Sequence, residues 1–333
     1  MKKILNNPSD YVDEMLDGLC LAHPEYYARL GEAGRVIARA GGPRQGKVAI
    51  VSGGGSGHLP LFTGYVGDGF IDACAIGNVF AGPSIGDCVA AMRAADGGAG
   101  VLRLYGNYGG DRMNFDMAGE LLELEAMETT TVLVADDIAS ASRAERHKRR
   151  GVAGLVYVYK IAGAKADQSG ATLAEVSRVA QKAALACGSI GVALAPCVVP
   201  EARKPTFTID DDEMEMGMGI HGEPGIWRGK LASADTMAAE MLERLCADMD
   251  IARGERVSVL INSLGAIPLE ELYILYRYVA RELAAKGLTV VAPLVGRYAT
   301  SMEMSGASIT LLQLDSELEQ LLGRPANCPF WRV

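Results

Sequence analysis

Residues 47–58 read KVAIVSGGGSGH. The apolar run is too short for an ordinary helix and stops at a burst of glycine, which reads as a buried β-strand feeding a tight loop. Residues 100–111, GVLRLYGNYGGD, repeat the arrangement. Further strand-like runs occur at 129–135 (TTTVLVA), 190–195, 257–261, 288–292 and 308–314. Apolar spacing of three and four predicts helices over 112–127, 173–187, 233–249 and 268–286. Near the start, Pro8, Ser9 and Asp10 precede Val12, Met15, Leu16, Leu19 and Leu21, the pattern of a capped amphipathic helix. Residues 31–46, rich in Gly, Ala and Arg, read as a connector; 200–212 is rich in proline and charge, and the chain is expected to pass between lobes around 190–230. Strands alternating with helices imply an α/β protein. At 333 residues the chain exceeds what one core usually supports. The expectation is two α/β domains, 1–190 and 191–333, with mixed, largely parallel sheets flanked by helices.

Composition narrows the function classes. Hydrophobic residues make up 49% and charged residues 22%, so large cores can be buried. The net charge is −9 and the only basic cluster, Arg146 to Arg150, is short, which argues against nucleic acid as the main partner. Seven cysteines without a CxxC pair read as reduced thiols in a cytoplasmic protein. No apolar stretch is long enough for a signal peptide or a membrane span, so no membrane partner is expected.

Three positions stand out as candidate chemistry. His58 ends the first glycine loop, where a group that titrates near neutrality meets several backbone N–H donors; capping the next helix is the alternative reading. The loop is neither a Walker A nor a dinucleotide fingerprint. Asp111 follows the second strand and is either a helix N-cap or a carboxylate facing the crevice shared with His58. His221 sits in residues 213–225, EMEMGMGIHGEPG, with glycine on both sides. It is either a turn residue or an imidazole open to a small electrophile. His23, in the first helix, and His147 read as surface residues. The acidic run Asp210 to Glu213 lacks cation-loop spacing and reads as a solvated loop, so no metal ligand is expected.

Taken together, SGGGSGH, GNYGGDRMNF, EMEMGMGIHGEPG and INSLGA at 261–266 resemble the substrate-binding subunit of dihydroxyacetone kinases over nearly the whole chain. The resemblance implies that His221 attacks the keto-sugar's carbonyl to give a covalent hemiaminal. It implies that His58 accepts the proton of the hydroxyl to be phosphorylated, with Asp111 sharing that role. Gly55, Ser56 and Gly57 would hold the sugar together with His58 and Asp111. It further implies that this chain binds no cofactor itself, ATP or ADP with Mg²⁺ being carried by a nucleotide-binding partner subunit, and that the chain forms a homodimer. Two positions depart from the family pattern: Leu59 replaces a glutamate and Gly106 replaces a lysine. The lost lysine suggests room for a substrate larger than dihydroxyacetone, such as erythrulose. The competing function is a ketose-binding co-regulator of transcription, which would keep His221 without needing a base.

Overall fold

The computed structural model describes residues 2–332. In chain order the first half contains α1 (Tyr11–Ala22), β1 (Tyr27–Leu30), β2 (Val36–Arg39), β3 (Ala49–Ser56), β4 (Ala73–Val79), α2 (Ile85–Ala95), β5 (Val101–Gly106), α3 (Gly109–Glu123) and β6 (Thr129–Val134). Then come α4 (Gly154–Ala166) and α5 (Leu173–Ala186). The second half contains β7 (Cys187–Ala195), β8 (Glu213–Met216), β9 (Trp227–Lys230), α6 (Ala234–Met249), β10 (Arg256–Ser263), α7 (Leu269–Ala285), β11 (Thr289–Val290), β12 (Leu294–Gly296), β13 (Ser305–Leu314) and α8 (Ser316–Leu322). A small ribbon, β14 (Asn327–Cys328) with β15 (Trp331–Arg332), ends the chain.

The first sheet has the order β1-β2-β4-β3-β5-β6. Its β4-β3-β5-β6 portion is parallel, and β1 and β2 join it antiparallel. The second sheet runs β11-β10-β13-β7-β8-β9, with β12 also on β10. There only the β10–β11 and β10–β12 pairs are parallel. The architecture is thus mixed α/β, with parallel pairing concentrated in the β4-β3-β5-β6 portion of the first sheet. Residues 31–46 are not a plain connector: β2 lies within them and closes a hairpin with β1.

Strand alternation sorts the side chains into layers. On β5, Leu102 and Leu104 face a central core, while Val101 and Tyr105 face α2 and α3. On β13, Leu312 and Leu314 face the same central core from the other sheet, while Ala307, Ile309 and Leu311 face α6 and α7. The two sheets therefore share one hydrophobic middle layer, occupied by α4 and α5. Every residue of α4 except Lys165 is buried. Asp136, itself buried, anchors the start of this helix by accepting from the N–H groups of Val152 and Gly154, each at 2.8 Å.

His147 is exposed. His23 lies just past α1 rather than inside it, and is half-buried against the rings of Tyr26, Tyr27 and Phe330. All seven cysteines are free thiols. Among the described residues no helix is long and apolar enough to cross a membrane.

Candidate functional site

Gly53, Gly54, Gly55 and Ser56, expected as a loop, are instead the last four residues of β3, paired with β4, and the chain turns only at Gly57, at the carboxyl end of the strand, where open parallel sheets present ligands. A Cβ at Gly55 would stand 2.7 Å from the Cα of Phe80, so only hydrogen fits there. Gly57 has φ +102°, a conformation open to glycine. The chain can thus turn sharply and drive His58 inward, where it is 2% exposed.

The His58 ring is fixed from the second sheet. Its Nδ1–H donates to the carbonyl of Thr300 at 2.6 Å, and the N–H of Met302 donates to the carbonyl of Gly57 at 2.7 Å. Asn262, inside the INSLGA stretch, sets the strand of chain before Thr300. Its side chain accepts from the N–H groups of Tyr298 and Ala299 at 2.8 and 3.0 Å and donates to the Ala299 carbonyl at 2.7 Å. Phe80 stacks on His58, ring centres 5.1 Å apart. Burial, reinforced by the neighbouring His221, pushes the pKa of His58 down to about 3.

His221 arrives from the connection between β8 and β9. Its Nδ1–H donates to Glu223 Oε1 at 2.9 Å, and its backbone N–H donates to Glu223 Oε2 at 2.9 Å. Burial works against the charge of Glu223, but the hydrogen bond and field of His221 bring its carboxyl down to about 2. Arg150 stands behind it: its Nη1 is 3.8 Å from Glu223, its Nε donates to Asp137 at 2.8 Å, and its Nη2 donates to the carbonyl of Gly217 at 3.2 Å. The His221 ring packs edge-on to Tyr108 (4.8 Å) and Phe80 (5.2 Å) and remains 23% exposed.

The two imidazoles meet directly, His58 Nε2 lying 3.0 Å from His221 Nε2. Both Nδ1 atoms donate to acceptors that carry no proton, a backbone carbonyl and a carboxylate. Each ring would then present a bare Nε2 lone pair, and two lone pairs at this distance repel. A proton shared between the two Nε2 atoms relieves that repulsion, and burial disfavours charge on His58.

Asp111 is the third residue of α3, but it does not cap the helix, whose N-cap is Tyr108. Its carboxyl is buried, and Oδ1 has no hydrogen-bond partner. Burial raises its pKa to about 6, against the opposing pull of His221. Ser56 Oγ is likewise buried and unpartnered. The structure sets His58, at the end of the run Gly55, Ser56 and Gly57, against His221, with Asp111 near enough to feel the field of His221. Sequence reasoning missed Glu223, Arg150, Thr300, Phe80 and Tyr108. For Glu223 the signal was present, two residues after His221. The departures also find their setting: a Cβ at Gly106 would contact the ring of Tyr108 at 3.4 Å, and Leu59 offers its carbonyl to Thr300 Oγ1 at 3.1 Å. Among the described residues no group of three or more His, Cys, Asp or Glu side chains is placed to hold a metal ion.

The chain is 44% identical to the PTS-dependent dihydroxyacetone kinase 2 dihydroxyacetone-binding subunit of Listeria innocua, with all of both chains covered. It is 42% identical to the D-erythrulose kinase of Mycolicibacterium smegmatis, where all of this chain covers 57% of the relative. Among solved structures, the dihydroxyacetone kinase operon co-activator Dha-DhaQ superposes with TM-score 0.89 at 34% identity, covering 96% of this chain and 98% of that one. The dihydroxyacetone kinase of C. freundii, in complex with AMP-PNP and Mg²⁺, superposes with TM-score 0.87 at 32% identity, covering 99% of this chain and 61% of that one. The family model for the Dak1 domain matches residues 17–330, and with that the chain belongs to the Dak1 domain family.

Proposed function

We propose that this chain is the ketose-binding subunit of a dihydroxyacetone-type kinase, holding the sugar as a hemiaminal on His221 while a nucleotide-bearing partner phosphorylates a terminal hydroxyl. The observation that carries the proposal is the 3.0 Å approach of His58 Nε2 to His221 Nε2, with the buried, unpartnered carboxyl of Asp111 close enough to feel the field of His221.

The chemistry follows from the hydrogen bonds. His221 passes its Nε2 proton to Nε2 of His58. The freed lone pair attacks the ketose carbonyl carbon, the C=O π bond opens, and the new alkoxide takes the proton from His58. His58 returns to its neutral form, and the alkylated His221 ring keeps its Nδ1–H on Glu223 (2.9 Å in the free protein). The covalent bond turns a small, weakly held ligand into a fixed one, so the remaining step needs only orientation. Asp111, ionised above about pH 6, then accepts the proton of the hydroxyl that attacks phosphorus. This division gives His58 to adduct formation and leaves the hydroxyl to Asp111. A nucleotide with Mg²⁺ on the partner supplies the phosphoryl group. The substrate is dihydroxyacetone or a related ketose such as erythrulose, and the protein works as a homodimer in the cytoplasm.

A second reading, a ketose-binding co-activator, is favoured by the similarity to Dha-DhaQ. A sensor has no use for a buried carboxyl poised near neutrality, which supports the kinase. Intact-mass measurement of the protein soaked in dihydroxyacetone or erythrulose tests the shared step. The expected result is a gain of the whole sugar without loss of water. Absence of an adduct with both sugars overturns both readings. Phosphoryl transfer on adding the partner separates the kinase from the sensor.

A further inference from the structure

A strained aromatic residue lies on the His58 ring. Phe80, in the turn between β4 and α2, has φ +58°, a region that a bulky side chain enters only under constraint from its surroundings. The constraint is visible. The N–H of Phe80 donates to the Ser56 carbonyl and that of Ala81 to the Asn78 carbonyl, each at 3.0 Å. The turn lies so close on the neighbouring strand ends that a Cβ at Gly55 would stand 2.7 Å from the Ala81 nitrogen, and one at Gly77 would collide with the Ala81 carbonyl oxygen. Met302, at φ +52°, is a second such residue, and it approaches from the second sheet. A Cβ at Gly57 would meet the Phe80 ring at 2.8 Å and Met302 Cγ at 3.2 Å. Two bulky residues in left-handed backbone therefore converge on the residue before His58.

The ring delivered by this strain touches both imidazoles. It stacks on His58 with the planes 30° apart and the centres at 5.1 Å, and it meets His221 edge-on at 5.2 Å. Phe80 is half-buried, whereas His58 against it is almost wholly enclosed. We propose that Phe80 is a positioning residue for the reaction: its ring holds the His58 imidazole at His221 and keeps water out of the contact between the two Nε2 atoms. The inference rests on the hemiaminal reading above. An aromatic face suits the task, because it packs flat on an imidazole and offers no hydrogen bond to compete for the Nε2 lone pair. The Thr300 carbonyl holds the ring only at Nδ1, and Phe80 stops it from tilting about that hydrogen bond. A proton passes between two nitrogens only while they stay in line, and a misplacement of about 1 Å costs on the order of 10²-fold in rate. The titratable groups whose fields reach His58 are His221 and Glu223, both on the β8–β9 connection. Asp111 on α3 interacts with His221, the second sheet presents the Thr300 carbonyl, and residues 78–84 around Phe80 carry no charge.

The test uses the whole chain with dihydroxyacetone as the probe. Phe80→Gly removes the ring but keeps the left-handed turn, since glycine enters that region freely. Adduct formation, followed by time-resolved intact mass, should slow ~10- to 100-fold, while the fraction of adduct reached at saturating sugar stays at the parent level because His221 is untouched. NMR of the imidazole gives the second reading. In the parent, where burial pushes its pKa down to about 3, the His58 ring should not titrate between about pH 5 and 8. In Phe80→Gly, with water admitted to Nε2, it should gain a midpoint in that window. Its charged neighbours are the same in both proteins, so a new titration belongs to His58. Phe80→Tyr, which keeps the flat ring, should return the rate to within about threefold of the parent and silence the titration again. Adduct formation in Phe80→Gly within about twofold of the parent rate, or slowing without any titration of His58, overturns the assignment. Should Phe80→Gly fail to fold, Phe80→Leu, which fills the volume without a flat face, decides on the same two readings. A parent that forms no adduct overturns the hemiaminal reading and this role with it; a parent that forms the adduct while the variant matches it overturns this role alone.

Discussion

His58 and His221 touch, but the two sheets deliver them by different means. His58 comes from the carboxyl end of a parallel strand, is stitched to the second sheet by the Thr300 and Met302 contacts, and is almost fully enclosed. His221 comes from a hairpin connection in an antiparallel part of the other sheet, is oriented by a single carboxylate and remains partly open. Rigidity and burial suit a group that must hold a neutral lone pair ready. Partial exposure suits a group that must form and break a bond to an incoming ligand. On the proposed mechanism, the difference teaches that the proton acceptor is built into the scaffold, whereas the nucleophile is presented to it.

The sharpest way to break this comparison is His221→Ala, which should abolish the protein–sugar adduct altogether in intact-mass spectra. Next in size, Asp111→Asn should retain the adduct but slow phosphoryl transfer ~10²–10⁴-fold, the range for a lost general base. In the unaltered protein transfer should fall as pH drops through about 6, because burial raises the Asp111 carboxyl and protonates it there. That inflection should vanish in the Asn variant. The sign for stability is opposite. A carboxyl raised from 3.8 to about 6 on folding stabilises the fold at low pH and loses that contribution as pH rises through 6. Asp111→Asn should therefore raise the free energy of unfolding at pH 8, measured by denaturant titration, by an amount on the order of 1–2 kcal/mol.

His58→Asn should slow adduct formation ~10²–10³-fold, the cost of the lost proton acceptor. If the adduct instead forms at the parent rate and only transfer slows, the ring serves the sugar hydroxyl and the proposed division of labour is reversed. The smallest effect is expected from Glu223→Gln. Removing a carboxylate that orients a histidine should slow adduct formation roughly 10- to 100-fold without abolishing it, as read by time-resolved mass spectrometry.

Much of this was legible in the sequence because it rests on local signals. The strands at β3, β5, β6, β10 and β13 are dense in branched residues and end at glycine or polar breaks, so both strand-end loops could be placed. Other elements carried no such signal. α4 is buried nearly all round, its Lys160 included, and so offers no helical period. β4 is built of small residues (ACAIGNV), and β8 and β9 have four residues each. Within the site, Thr300 and Phe80 reach His58 through packing and a backbone carbonyl. Neither leaves a trace in residue type, and Thr300 is 242 positions away in the chain. His221, the proposed nucleophile, stood out through its surroundings of glycine, whereas the tautomer of His58 could be assigned only once the Thr300 carbonyl was in place.

The helix enclosed between the sheets has a consequence for how the molecule comes apart. Neither half can be expressed alone without baring one side of that apolar rod to water, and a fragment ending near residue 190 would carry it as an open, sticky surface. Loss of either sheet strips the other of its covering. Heating or denaturant should accordingly melt both lobes in a single transition, and the two histidines should lose their meeting point at the same moment.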